Sequence, residues 1–345
     1  MMDDYLIIIY SIVAMFWVTT GQGVTPDSEP SADPAARAAD PMAGFARMMP
    51  GEWRVTAKSG KSMFHAWQWG PGEHSIRRMT DGSGANGSPW REVQVFYHHP
   101  GQKQVRLLVL SPFDRGVGEG SIRFEGDAAD ATLDLYQTRG RRKMGVRWAF
   151  EGPDRYRETL LEAVGTRGYM PFVEFEQIRS KPPATPRPRA VEGATRPSER
   201  LKVLEPLVGH TYEAAGVPLP MRTTFEWVPL ADAIYGRVVS TGGNSPPRHL
   251  LDVYFYHHTG TGKLRCLSLS EQGGVYEGDV TALDDRALQF DLKGYEGDRV
   301  LPLSARLEFE KDGSLRHRVW SVTDGKRDLL LDARHREVEG KDPSP

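Results

Sequence analysis

The sequence predicts an all-β protein made of two tandem antiparallel up-and-down β-barrel domains, about 8–10 strands in each. Three observations carry this expectation. First, the chain repeats itself: Phe96-Tyr97-His98-His99 recurs as Phe255-Tyr256-His257-His258, and Gly116-Val117-Gly118-Glu119-Gly120 as Gly274-Val275-Tyr276-Glu277-Gly278. Val105-Arg106-Leu107 answers to Leu264-Arg265-Cys266 at the same offset of roughly 158 residues, so whole domains are duplicated. Second, apolar residues inside each copy recur mostly with period two, the spacing that puts alternate side chains on one face of a strand. Third, turn clusters separate these stretches: Asp81-Gly82-Ser83-Gly84, Thr259-Gly260-Thr261-Gly262, Asp312-Gly313 and Asp324-Gly325. Glycine supplies the positive φ that a tight hairpin demands. Closing each sheet into a barrel removes the exposed edges that an open meander would leave.

From the N-terminus, residues 1–23 hold one apolar run, Tyr5 to Val18, of about 14 residues. It suits a signal-peptide core and is short for a membrane-spanning helix of roughly 20. Asp3 and Asp4 stand where lysine or arginine usually precedes such a core, so an uncleaved anchor and a misassigned start at Met15 or Met42 stand beside it. The expectation is a secreted or periplasmic protein, or a cytoplasmic one if the start is misassigned, with no stable membrane integration beyond this segment. Residues 24–41 read as flexible, being rich in Ala, Pro, Asp and Ser with little to bury. The first repeat covers residues 42–179, a Pro-rich linker residues 180–200, the second repeat residues 201–336 and a polar tail residues 337–345. No long, well-capped amphipathic helix is legible anywhere.

At 345 residues the chain is long enough for two cores. Its 44 basic and 46 acidic residues nearly cancel, which gives no electrostatic reason to expect a nucleic-acid partner. The single cysteine, Cys266, excludes an intramolecular disulfide and sits in an apolar stretch that favours a small buried residue. No nucleophile elbow, phosphate loop or metal-spaced cluster is present, so no catalytic residue, metal or cofactor is expected.

The polar residues that recur at strand positions are the candidates for binding. On a strand His98 and His99 point to opposite faces and cannot ligate one metal side by side. His98 shares a face with Phe96, and His99 with Tyr97. Arg106 and Glu119 lie on successive strands and are expected to pair, oriented either outward or towards a ligand's carboxylate or hydroxyl. The candidate ligand-binding set is therefore Tyr97, His98, Arg106 and Glu119, with their counterparts Tyr256, His257, Arg265 and Glu277. Trp90 has no counterpart and follows Gly87-Ser88-Pro89, so it is expected in a loop at a rim. The glycines from Gly116 to Gly120 suggest a bend or bulge at a barrel corner. The basic stretch Arg139 to Lys143 reads as a solvated hairpin tip.

The first repeat opens with Gly51-Glu52-Trp53 and ends at Arg179. In this it resembles the lipocalin-like, or calycin, barrels, in which an arginine of the last strand covers a Gly-x-Trp tryptophan at the closed end. The second repeat departs from the pattern, with Gly209-His210-Thr211-Tyr212 at its start and Arg334 or Arg336 at its end. The resemblance implies a cavity for a small, largely apolar ligand and brings no catalytic residue with it. Some barrels of that kind hold heme through a histidine near the C-terminal end, where His335 stands. Repeat one offers Ile178 there, and no heme is expected.

The leading expectation is thus a non-catalytic binding protein with two such barrels, each for a small, largely apolar ligand or a recognition role. Alternatives are a hydrolase- or isomerase-type enzyme with a His/Glu/Arg site at a barrel mouth, and a structural or partner-binding tandem whose barrels are filled. Oligomeric state is not legible.

Overall fold

The computed structural model describes residues 40–56, 62–83, 89–165, 168–180, 199–215, 220–241 and 246–339. The expected signal peptide or anchor, nearly all of the flexible segment, most of the Pro-rich linker and the last six residues of the tail lie outside them. The first repeat forms ten strands: β1 (Gly51–Thr56), β2 (Ser62–Trp69), β3 (Ser75–Ser83), β4 (Pro89–His99), β5 (Gln104–Leu110), β6 (Val117–Glu125), β7 (Ala128–Gln137), β8 (Gly140–Phe150), β9 (Arg155–Ala163) and β10 (Tyr169–Ser180). The second forms β11 (Thr211–Ala215), β12 (Met221–Trp227), β13 (Ala233–Ser240), β14 (His249–His258), β15 (Lys263–Ser270), β16 (Val275–Ala282), β17 (Ala287–Glu296), β18 (Arg299–Phe309), β19 (Leu315–Thr323) and β20 (Lys326–Val338). Each set closes on itself as an antiparallel up-and-down barrel. The closing pairs are β1 with β10, where Trp53 faces Arg179, and β11 with β20, where Tyr212 faces Glu337. The protein is all-β, two closed ten-stranded barrels in tandem.

Local chemistry explains most of the turns. Gly313 and Gly325 take φ of 82° and 76°, as their Asp-Gly hairpins require. Two expectations change. Asp81 and Gly82 continue β3 and pair with Arg91 and Trp90, so the predicted turn is strand. Trp90 correspondingly belongs to β4 rather than to a loop, and its ring packs 5.8 Å from that of Phe113. The glycines of β6 make no bulge either, because the β5–β6 and β6–β7 ladders run unbroken past Gly118 and Gly120. A Cβ at Gly120 would collide with the carbonyl of Thr132, and one at Gly278 with that of Asp291. Glycine is there for close strand approach in a tightly coiled sheet.

Each barrel is stoppered at one end by a 3₁₀ segment that precedes its first strand. In Ala43–Met48 and the residue before it, Met42, Phe45 and Met48 are fully buried; in Glu199–Leu207, Leu201, Leu204 and Leu207 are. A spacing of three matches the three residues per turn of a 3₁₀ helix, so all three side chains of each set drop into the barrel together.

The barrels lie side by side, and a third apolar cluster fills the seam. Val93, Val95, Tyr97, Leu108, Leu110 and Val117 of the first meet Ala233, Tyr235, Tyr254, Tyr256, Leu267, Leu269 and Val275 of the second. Tyr97 and Tyr256, Leu108 and Leu267, Leu110 and Leu269, and Val117 and Val275 are repeat equivalents. The same patch therefore meets itself about a pseudo-two-fold axis, as in an isologous dimer. Strands β4 and β14 are consequently buried on both faces, with Phe96 and Phe255 turned into their own barrels.

Candidate functional site

Two regions hold chemistry: the seam between the barrels and the barrel interiors. The recurrent residues singled out above belong largely to the seam. Tyr256 donates to the Glu119 carboxylate at 3.1 Å, and His258 Nε2 lies 3.7 Å from the same group. In the mirror arrangement His99 Nε2 lies 3.4 Å from Glu277. The His99 ring packs 4.4 Å from Tyr295, and that of His258 4.7 Å from Tyr136. Burial alone would raise the Glu119 carboxyl, but His258, Arg265 and Tyr256 together bring it below its ordinary range. Burial, reinforced by the Glu277 carboxylate, holds the Tyr97 phenol protonated far above neutrality.

The expected Arg106–Glu119 partnership is replaced by others. The ladder sets Arg106 opposite Ser121 and Glu119 opposite Leu108. The Arg106 guanidinium donates to Gln102 at 3.1 Å, while the close partners of Glu119 come from the other repeat. Arg265 lies 3.9 Å from Asp279. His98 and His257 are on the barrel-facing side of their strands, and burial lowers both below the ordinary histidine value. His257 Nδ1 is 3.2 Å from the Arg200 guanidinium. Among the described residues no three metal-ligating side chains come together.

Among the described residues, the first barrel's interior is packed with large side chains. Trp53, Trp67, Trp148, Phe96 and Tyr156 are almost completely buried. The Arg179 guanidinium lies 4.4 Å from the Trp53 ring. A polar cluster occupies the middle of this barrel. Arg78 reaches Glu158 through two hydrogen bonds of 2.9 and 2.7 Å, with side-chain exposures of only 2% and 5%. Arg78 also contacts His65 (2.9 Å) and Gln94 (3.2 Å), and Gln177 donates to Glu158 at 3.0 Å. Burial, then the Arg78 charge, drives His65 well down, while burial pushes the nearby Glu92 carboxyl up to about 7.

The second barrel is hollow. Its interior holds a cavity of about 220 Å³ lined by Phe225, Leu251, Val253, Phe255, Phe290, Leu307, Leu315, Val319, Ala333 and others, none of them charged. The ladders explain the contrast position by position. Aligning Trp53 with Tyr212 and Trp67 with Phe225 matches Arg78 to Gly236, Gln94 to Val253 and Glu92 to Leu251. It likewise matches Tyr156 to Leu315, Glu158 to His317 and Gln177 to His335. The arginine, its acid and the Tyr156 ring give way to smaller or neutral groups, and the space opens. The expected counterpart of His335, Ile178, is thereby corrected to Gln177. The second repeat also lacks the closing arginine, because Glu337 stands opposite Tyr212; the tyrosine hydroxyl donates instead to the Pro206 carbonyl at 3.0 Å.

Polar groups on the cavity wall are few. The Tyr276 hydroxyl bonds to Glu296, and Cys266 Sγ lies 3.5 Å from Ser268 Oγ. Burial raises the Cys266 thiol to about 12, so it is no nucleophile at neutral pH. His317 and His335 both line the cavity, with ring centroids 6.1 Å apart. Burial and the neighbouring His335 push His317 down to about 3, and burial pushes His335 down to about 4. Both imidazoles are neutral near pH 7. Nothing local in the sequence marks this cavity, because its signal is a difference between the repeats rather than a motif.

No protein-family model matches the chain, and no curated protein does. Among solved structures it is similar to a protein of unknown function from the DUF3598 family of Nostoc punctiforme, at 12% identity over 86% of this chain and 98% of that one, with a TM-score of 0.20. A likeness that distant assigns no activity.

Proposed function

We propose that the protein is a non-catalytic binding protein in which the second barrel takes one small, largely apolar molecule, while the first serves as a filled structural partner. The carrying observation is the uncharged cavity of about 220 Å³ in the second barrel. An engineered apolar cavity of roughly 150 Å³ holds benzene, so this one suits a ligand of roughly eight to twelve non-hydrogen atoms. The arginine stacked on Trp53 supports the likeness to lipocalin-like barrels. The seam joins the two barrels through a shared apolar core, which gives the filled one a role as scaffold.

Titration with naphthalene, followed by its fluorescence and by native mass spectrometry, tests this reading. One equivalent per chain is expected, with uptake abolished by Ala333→Trp. No saturable uptake, or two equivalents per chain, refutes it.

A further inference from the structure

Resting on that reading, we propose that the second barrel selects an uncharged ligand whose apolar body carries one hydroxyl or N–H group, and that this group hydrogen-bonds His317 and His335 in the space that the Arg78 side chain fills in the first barrel. The first barrel supplies the comparison. There Glu158 and Gln177 bond to each other, and Arg78 satisfies the acid from across the interior. In the second barrel both positions stay polar, as His317 and His335, while the arginine is Gly236. A Cβ at Gly236 would come within 2.7 Å of the Phe225 ring, which covers the backbone where the arginine stem would start.

Two imidazoles are thus left on the wall of an otherwise apolar cavity. Among the described residues no group hydrogen-bonds either ring, and His335 Nε2 is buried without a partner. A neutral imidazole has one donor and one acceptor nitrogen, and leaving such atoms unpaired in a folded interior is costly. The partnerless His335 Nε2 therefore points to a group that satisfies it. Size and charge narrow what that is. The lining holds no Lys, Arg, Asp or Glu, and both rings are neutral, so an ionised carboxylate would be stripped of water with no counter-charge to meet it. A hydroxyl or N–H can donate to one ring and, for the hydroxyl, accept from the other.

The test compares naphthalene, 2-naphthol and ionised 2-naphthoate on the full chain at pH 7.5, in the wild type and in His317→Leu and His335→Leu. The expected order is 2-naphthol about tenfold tighter than naphthalene, as one neutral hydrogen bond allows, with 2-naphthoate weakest. Each leucine variant should reduce the preference for 2-naphthol over naphthalene to less than threefold. The wild-type series alone is decisive if a variant fails to fold. Equal affinity for naphthalene and 2-naphthol, or tightest binding of 2-naphthoate, overturns the selectivity and leaves the binding reading standing. Failure of all three to bind removes the binding reading itself, and the selectivity with it.

Discussion

Glu158→Leu removes the acid that neutralises the most deeply buried cation of the first barrel. Arg78 loses two charge-assisted hydrogen bonds, at 2.9 and 2.7 Å, from a site where both side chains are almost wholly shielded. Each such bond contributes about 1.5–3 kcal/mol, but His65 and Gln94 still solvate part of the guanidinium, so the expected loss is about 3–5 kcal/mol. Removing both charges together, in Arg78→Met with Glu158→Leu, leaves no unpaired charge, although His65, Gln94 and Gln177 each lose a partner, so the double variant should cost less than the two single changes summed. Urea unfolding followed by tryptophan fluorescence reads this well, because Trp53, Trp67 and Trp148 all lie in the same interior. The reasoning is refuted if Glu158→Leu costs less than about 1 kcal/mol, or if the double variant loses as much as the single changes summed.

Other outcomes follow from the same structure. His317 and His335 are held neutral below their ordinary value of 6.5, so the unfolded chain binds protons that the folded one refuses. Their contribution is intact above pH 6.5 and declines below it by about 1.4 kcal/mol per unit for each ring, about 4 kcal/mol together at pH 5. Glu92 acts in the opposite sense: raised to about 7, it favours folding as pH falls from 7 towards 4.5. His317→Leu combined with His335→Leu should therefore flatten the acid side of a stability–pH curve measured by urea titration, leaving the rise due to Glu92. Ala333→Leu puts a larger side chain on the cavity wall and should block naphthalene uptake by fluorescence titration while shifting stability by no more than about 2 kcal/mol. At the seam, Glu119→Ala deprives the buried Tyr256 hydroxyl of its acceptor and should cost about 1–3 kcal/mol in calorimetric unfolding, far more than the surface change Asp298→Ala.

The duplication and the strands were legible because period-two patterning and Asp-Gly turns depend only on neighbours in sequence. Which face of β4 looks inward was not. Both its faces are buried, so Val93, Val95 and Tyr97, which turn to the second barrel, carry the same apolar signal as the inward Phe96. The stoppers leave a readable trace, since Met42, Phe45 and Met48 recur as Leu201, Leu204 and Leu207 at the repeat offset. The binding candidates are residues that recur, and recurrence favours what both halves need in common. Here that is the surface by which they join, so Tyr97, Glu119, Tyr256 and Glu277 cluster there. The cavity arises where the halves diverge, at Arg78 against Gly236 and Tyr156 against Leu315, and only the strand register brings those positions into comparison.

The self-complementary flank also sets an order of events at the ribosome. The first barrel can close once β10 has been made, yet the strands that cover Val95, Tyr97 and Leu108 are not complete until Ala282, about a hundred residues later. At roughly 5–20 residues per second that is an interval of about 5–20 seconds. Throughout it, a finished barrel displays an uncovered greasy side whose natural complement is an identical side on a neighbouring nascent chain. Polysome spacing and chaperone supply therefore bear on whether the halves find each other within one molecule or across two.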